Sequence, residues 1–178
     1  MEVAAGERNP WLGDAPNPAA PKGRRSDTVP GTYTRLLYHV VFGTKGRARL
    51  ITSELKPRLH EYLGGIVRSE NGVAHQIGGT LDHVHLLIRW RTDESLATLM
   101  RNLKSHSSRW AHQTFPQLRS FQWQEGYGAF TVSPSQSEAV NTYILNQEAH
   151  HHRKSFEEEF VELLRAHGID YDERYLWD

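Results

Sequence analysis

Two histidines separated by one aliphatic residue, in the stretch GGTLDHVHLLIRW over Gly78–Trp90, are the residues whose types and spacing first suggest chemistry. In an extended strand, side chains alternate between faces, so Val84, Leu86 and Ile88 point one way and His83, His85 and Leu87 the other. Two imidazoles on one face lie about 7 Å apart along the strand. Neutral imidazoles at that spacing can both reach one divalent metal ion. A metal held there would polarise a non-bridging phosphate oxygen and stabilise charge building at phosphorus. Phosphodiester chemistry also needs a nucleophile. The chain has no cysteine, which leaves water or a hydroxyl. Tyr143 stands out, because Gln147 follows it by one helical turn and the two share a face. A phenol with its ordinary pKa of about 10 attacks only once a cation or base favours the phenolate. Its advantage over water is that a phosphotyrosine conserves bond energy for a later rejoining.

Other candidates carry less. Tyr127, in a Gly-Tyr-Gly segment, has no such partner in sequence and reads as an aromatic packed on a sheet. The run His150–His152 cannot turn all its rings to one ion from a helix, so contact with a phosphate backbone or solvation is the better reading. Leu87 stands at the alternate position where a histidine-triad hydrolase would want a third His.

The dyad needs elements to position it. Tyr33–Phe42 is dense in aromatic and β-branched residues and reads as a buried first strand. The loop GTKGRARL follows, with Lys45, Arg47 and Arg49 beside two glycines. From an N-cap at Ser53 a helix runs to Asn71-Gly72, with Leu55, Leu59, Tyr62, Leu63, Ile66 and Val67 as its apolar stripe. Val73–Ile77 is a short strand that turns through Gly78–Asp82 into the histidine strand, as an antiparallel hairpin. A second helix opens at Thr92–Ser95 and runs to about Thr114, where Pro116 closes it. Its buried stripe is Leu96, Leu99, Met100, Leu103 and Trp110. Trp123–Val132 gives a further strand. Ser135–Glu138 has the spacing of a capping box and starts the helix carrying Tyr143 and Gln147. Ser155–Glu158 is a second capping box, opening an acidic helix with Phe160, Leu163 and Leu164 inward. The order of strands and helices predicts an α+β, ferredoxin-like βαββαβ antiparallel sheet, with an appended C-terminal tyrosine helix and a further acidic helix. That plan leaves the histidine strand central and one sheet face open.

The totals agree with one domain and flanking segments: 178 residues, of which 38% are hydrophobic, a low share that implies part of the chain stays outside the core. The expected division is a disordered Pro-rich leader over 1–30, a catalytic domain over 31–155 and an acidic C-terminal helix and tail over 156–178. The net charge of zero hides an asymmetry, since residues 31–155 hold 15 Lys/Arg against 9 Asp/Glu while residues 156–178 hold 2 against 8. A basic body with an acidic tail is compatible with a nucleic-acid partner. The lack of cysteine, of an apolar run long enough for a bilayer and of a signal-peptide core leads to the expectation of a cytoplasmic protein with no membrane partner.

The pairing of GGTLDHVHLLI with YILNQ, together with the opening strand LLYHVVFGTKGR, resembles the single-tyrosine, IS200-like insertion-sequence transposases of the HUH endonuclease superfamily. The resemblance extends over roughly residues 33–155, with the motifs in the family's order. It implies that His83 and His85 are metal ligands, that Gln147 is the third ligand and that Tyr143 is the nucleophile. The implied cofactor is a divalent ion, Mg2+ or Mn2+. The implied activity is cleavage and rejoining of single-stranded DNA at hairpin-marked element ends through a 5′-phosphotyrosine, by a homodimer. Three other readings compete: a domesticated nuclease that processes repeated hairpins, a replication or conjugation nickase, and a catalytically inactive single-strand-binding module. The chain's length argues against the nickase, and the intact His83, His85, Tyr143 and Gln147 against the inactive module.

Overall fold

The alternating apolar residues of the strands build a sheet that is buried on both faces. The computed structural model describes residues 33–151 and 154–177. The leader expected over 1–30, and His152 and Arg153, lie outside the described residues. The elements are β1 (Leu36–Gly43), α1 (Leu55–Ser69), β2 (Val73–Gly79), β3 (His83–Trp90), α2 (Leu96–Thr114), β4 (Gly128–Val132), α3 (Ser137–Leu145), α4 (Gln147–His151) and α5 (Phe156–Ala166). The strands lie in the order β2-β3-β1-β4, with every pairing antiparallel. This is the predicted ferredoxin-like sheet, and β3 is an inner strand.

On the first face Val40 and Phe42 of β1 and Val84, Leu86 and Ile88 of β3 pack against α1 and α2, whose stripes include Leu59, Leu63, Leu99 and Leu103. Burying a Leu or Phe side chain of this kind stabilises by about 1.5–3 kcal/mol. The second face is not open, contrary to the expectation. Leu37, Leu87 and Val132 are covered by Ile144 of α3, and Val41 and Phe130 by Phe156, Phe160 and Leu164 of α5. The physical reason lies in the strands themselves. Their second face carries too much aliphatic and aromatic area to stay wet, and the amphipathic C-terminal helix supplies the matching stripe. Residues 169–177 follow α5, and Tyr171, Leu176 and Trp177 pack on the same cluster.

Three local expectations are corrected. The tyrosine helix is not continuous: it breaks at Asn146 (φ −95°, ψ 17°), and Gln147 opens the separate helix α4. The capping box expected at Ser135–Glu138 does not form, because Gln136 takes the cap position with no side-chain bond. Ser137 donates instead to the carbonyl of Pro134 at 2.8 Å. The box at Ser155–Glu158 is present in both directions. The last strand begins at Gly128 rather than Trp123, and Trp123 makes only a single bridge to Thr44. Lys104 holds the intervening loop by donating to the carbonyls of Gln124, Glu125 and Gly126 at 3.0, 2.8 and 2.6 Å. Among the described residues, no helix is long and apolar enough to cross a membrane.

Candidate active site

Strand β3 delivers His83 and His85 to the second sheet face, where both are fully buried. His83 Nδ1 lies 2.7 Å from Asp82 Oδ1, and the Thr80 hydroxyl donates to the same oxygen at 3.0 Å. An ionised carboxylate only accepts, so His83 carries a proton on Nδ1 and turns Nε2 into the cluster. The ring of Phe156 stacks on His83 with centroids 4.3 Å apart. His85 stands edge-on to His83, with centroids 5.1 Å apart. Its Nδ1 lies 2.9 Å from Nε2 of His39, a buried histidine of β1. Burial, and next the neighbouring His85, push the His39 pKa down to about 3. His39 is therefore neutral at physiological pH.

Helix α3 brings Tyr143 in from above β2, and a glycine makes that approach feasible. A Cβ placed on Gly78 would lie 2.2 Å from the carbonyl oxygen of Ile144, so the backbone of α3 occupies the space that any other residue would fill. The break at Asn146 does not separate the tyrosine from the glutamine. Both converge on Glu159 of α5: the Tyr143 hydroxyl donates to Oε1, and Gln147 Nε2 donates to the same oxygen at 2.9 Å. The other carboxylate oxygen, Oε2, lies 3.4 Å from His85 Nε2 and 3.7 Å from His83 Nε2. Gln147 Oε1 faces His83 Nε2 at 3.4 Å.

This donor set fits a divalent cation. Among the described residues, His83, His85 and Glu159 bring their ligand atoms within 4.8 Å of one another, and all three are buried. With Gln147 Oε1 at 3.4 Å from His83 Nε2, two imidazole nitrogens and two oxygens, each able to ligate through a lone pair, gather at one locus. Such convergence of acceptors away from water is unfavourable unless a cation or a proton joins them. Imidazole, amide and carboxylate together suit a divalent ion that takes nitrogen and oxygen ligands better than a thiolate-seeking one.

The nucleophile candidate is strongly held. Burial first, and then the charge and hydrogen bond of Glu159, push the Tyr143 phenol well above its ordinary pKa. It is a neutral donor in this arrangement, and a phenolate would require the carboxylate to take its proton or give way. Tyr127 lies elsewhere, half exposed in the loop before β4, with its ring 5.4 Å from Lys104 Nζ. Of the basic loop, Arg47 pairs with Glu157 of α5 and lies 5.4 Å over the Trp177 ring. Arg47 and Arg49, with Asp82, Lys154 and Phe156, line a groove of about 480 Å³ beside His83.

The four residues singled out by sequence thus stand together. Three others at the site escaped that reading: His39, Asp82 and Glu159. Glu159 had a visible signal, since it falls three residues after Phe156 and four before Leu163, on the apolar stripe of α5. A carboxylate on a buried stripe needs a partner. His39 shares the alternation of Leu37 and Val41, but its neighbours depend on the register of β1 with β3, which the sequence does not specify.

The chain is similar to known transposases. The family model described as "Transposase IS200 like" matches residues 32–147. The ISDra2 transposase TnpA of Deinococcus radiodurans is 27% identical over 123 residues, covering 66% of this chain and 87% of that protein. A crystal structure from Deinococcus radiodurans R1, of a protein described as a transposase, superposes with a TM-score of 0.56 at 27% identity, covering 71% of this chain and 96% of the other. A REP-associated tyrosine transposase bound to a REP hairpin shares the fold, with a TM-score of 0.52 at 14% identity over 73% of each chain.

Proposed function

The chain belongs to the family of IS200-like transposases, and from that footing we propose that it cleaves and rejoins single-stranded DNA at hairpin-marked ends, with Tyr143 as nucleophile. One observation carries the reading: the Tyr143 hydroxyl, the Gln147 amide and the Nε2 atoms of His83 and His85 meet around a single buried carboxylate. In this reading His83, His85 and Gln147 hold a divalent ion, Mn2+ or Mg2+, and Glu159 Oε2 lies within reach of it. The ion, when bound, supplies Lewis-acid polarisation of a phosphate oxygen. The protein's own groups do the rest. Asp82 fixes the tautomer of His83, and α3, seated on Gly78, carries the phenol to the site. The Tyr143 oxygen bonds to phosphorus as the bond from phosphorus to the 3′ oxygen breaks, leaving a 5′-phosphotyrosine and a 3′-hydroxyl. The phenolic proton departs toward Glu159 Oε1, which already accepts it, and a proton returns to the 3′ oxygen. Residues 31–155 are the catalytic domain of this reading, α5 contributes Glu159 to it, and the working species is a homodimer.

The direct test is incubation of the full chain with single-stranded DNA from its own flanking genomic sequence, hairpins included, plus Mn2+. A denaturation-resistant protein–DNA band should form with the single strand and not with the fully paired duplex. Equal reaction with duplex, or cleavage without any covalent species, would contradict the reading.

Gly78→Ala gives a second, geometric test. The added methyl displaces α3 at Ile144, an overpacking that should cost about 1–3 kcal/mol of stability. Moving the phenol by about 1 Å should slow adduct formation by about 100-fold in protein that is still folded. Thermal melting and single-turnover gels read the two effects. Wild-type rates in Gly78→Ala would mean that the seat of α3 on β2 does not position Tyr143.

A further inference from the structure

Strand β1 runs beside β3 with Val41 opposite His85 and His39 opposite Leu87. His39 is therefore the diagonal neighbour of His85 on the same sheet face, within side-chain reach. It is only 3% exposed, and its ring lies edge to edge with that of His85, with centroids 5.1 Å apart and planes 26° apart. Phe130 and Tyr143 pack at 6.1 and 6.0 Å from it, centroid to centroid. Burying an imidazole among such rings is unfavourable unless its nitrogens find partners. The partner of Nε2 is Nδ1 of His85, at 2.9 Å.

We propose that His39 is a positioning residue for the metal site, accepting the Nδ1 proton of His85 on its Nε2 and so holding His85 with Nε2 toward the ion. This rests on the reading of His83 and His85 as ligands. A hydrogen bond between two imidazoles needs one donor and one acceptor. If His39 donated, the His85 proton would sit on Nε2, the atom that lies 3.4 Å from Glu159 Oε2, and His85 could not ligate from that side. If His39 accepts, the lone pair of His85 Nε2 faces the same locus as that of His83. The two ligands are then oriented by different devices, a carboxylate at His83 and a neutral imidazole from the next strand at His85. Outer partners of this kind fix the tautomer and ring angle of metal-binding histidines.

The test uses the full chain freed of metal and titrated with Mn2+, with free ion followed by electron paramagnetic resonance. His39→Leu keeps an apolar group of similar bulk but removes the acceptor, and Mn2+ affinity should fall by about 10–100-fold. His39→Gln places an amide oxygen near the position of Nε2 and should restore affinity to within a few-fold of the unmodified chain. Wild-type affinity in His39→Leu, or equal weakening in the Leu and Gln variants, would overturn the assignment and leave His39 a packing residue. Failure of the unmodified chain to bind Mn2+ would instead remove the metal reading, and this assignment with it. Should His39→Leu not fold, nitrogen-15 correlation spectra of the unmodified chain decide the matter. A proton on His85 Nδ1 with coupling to His39 Nε2 is expected, and a proton on His39 Nε2 is the contrary result.

Discussion

Tyr143→Phe is expected to bind hairpin DNA as the unmodified chain does and to form no covalent adduct, a loss of at least about 10⁴-fold in single-turnover rate, as befits removal of a nucleophile. The substitution deletes one oxygen and leaves the ring in place against His39 and His85, whose centroids are each 6.0 Å away. Glu159 Oε1 keeps the Gln147 amide as donor at 2.9 Å, so the cost to folding should be about 1 kcal/mol. Binding and chemistry are thus separated in one variant. Denaturing gels after incubation with Mn2+ read the adduct, and filter binding reads the affinity. Adduct at even a hundredth of the wild-type rate in Tyr143→Phe would mean that another group attacks.

Removing a ligand should cost as much, by a different route. His83→Ala is expected to abolish cleavage and to weaken Mn2+ binding by more than about 100-fold, beyond the loss of an outer partner. The side chain is not a lightly packed one facing an open site. Its ring is fully buried between Phe156 and the Asp82 carboxylate, so the Ala variant leaves a cavity and a stranded acceptor, costing about 2–4 kcal/mol. His83→Gln fills more of that volume and keeps an amide for Asp82. It should melt closer to the unmodified chain while still failing to cleave. Calorimetric titration with Mn2+ alongside thermal melts separates the two losses. Cleavage at the wild-type rate by a folded His83→Gln protein would place the ion elsewhere.

How far these residues were legible depended on whether the signal was local. The dyad, the tyrosine–glutamine pair and the strand and helix order come from periodicity within short windows, and the sheet follows from them. The closure of the second sheet face was written in Leu37, Val41, Leu87, Phe130 and Val132, but the segment that covers them lies far along the chain. A long-range pairing of that kind has no local signature. The helix break at Asn146 illustrates the same limit. Tyr-x-x-x-Gln spacing joins two side chains at one site, yet the chain joins them across two helices that meet at Asn146. Glu159 itself sat in plain view as a charge on an apolar stripe. His39 needed the strand register before its partner could be known.

The identity of the attacking oxygen is the point on which the whole reading turns, and mass spectrometry of the trapped adduct measures it. After reaction with single-stranded hairpin DNA and Mn2+, nuclease and protease digestion should yield one nucleotide-bearing peptide, with the phosphoryl group on Tyr143. A modified peptide carrying the group on Tyr127, or on any other residue, would contradict the account.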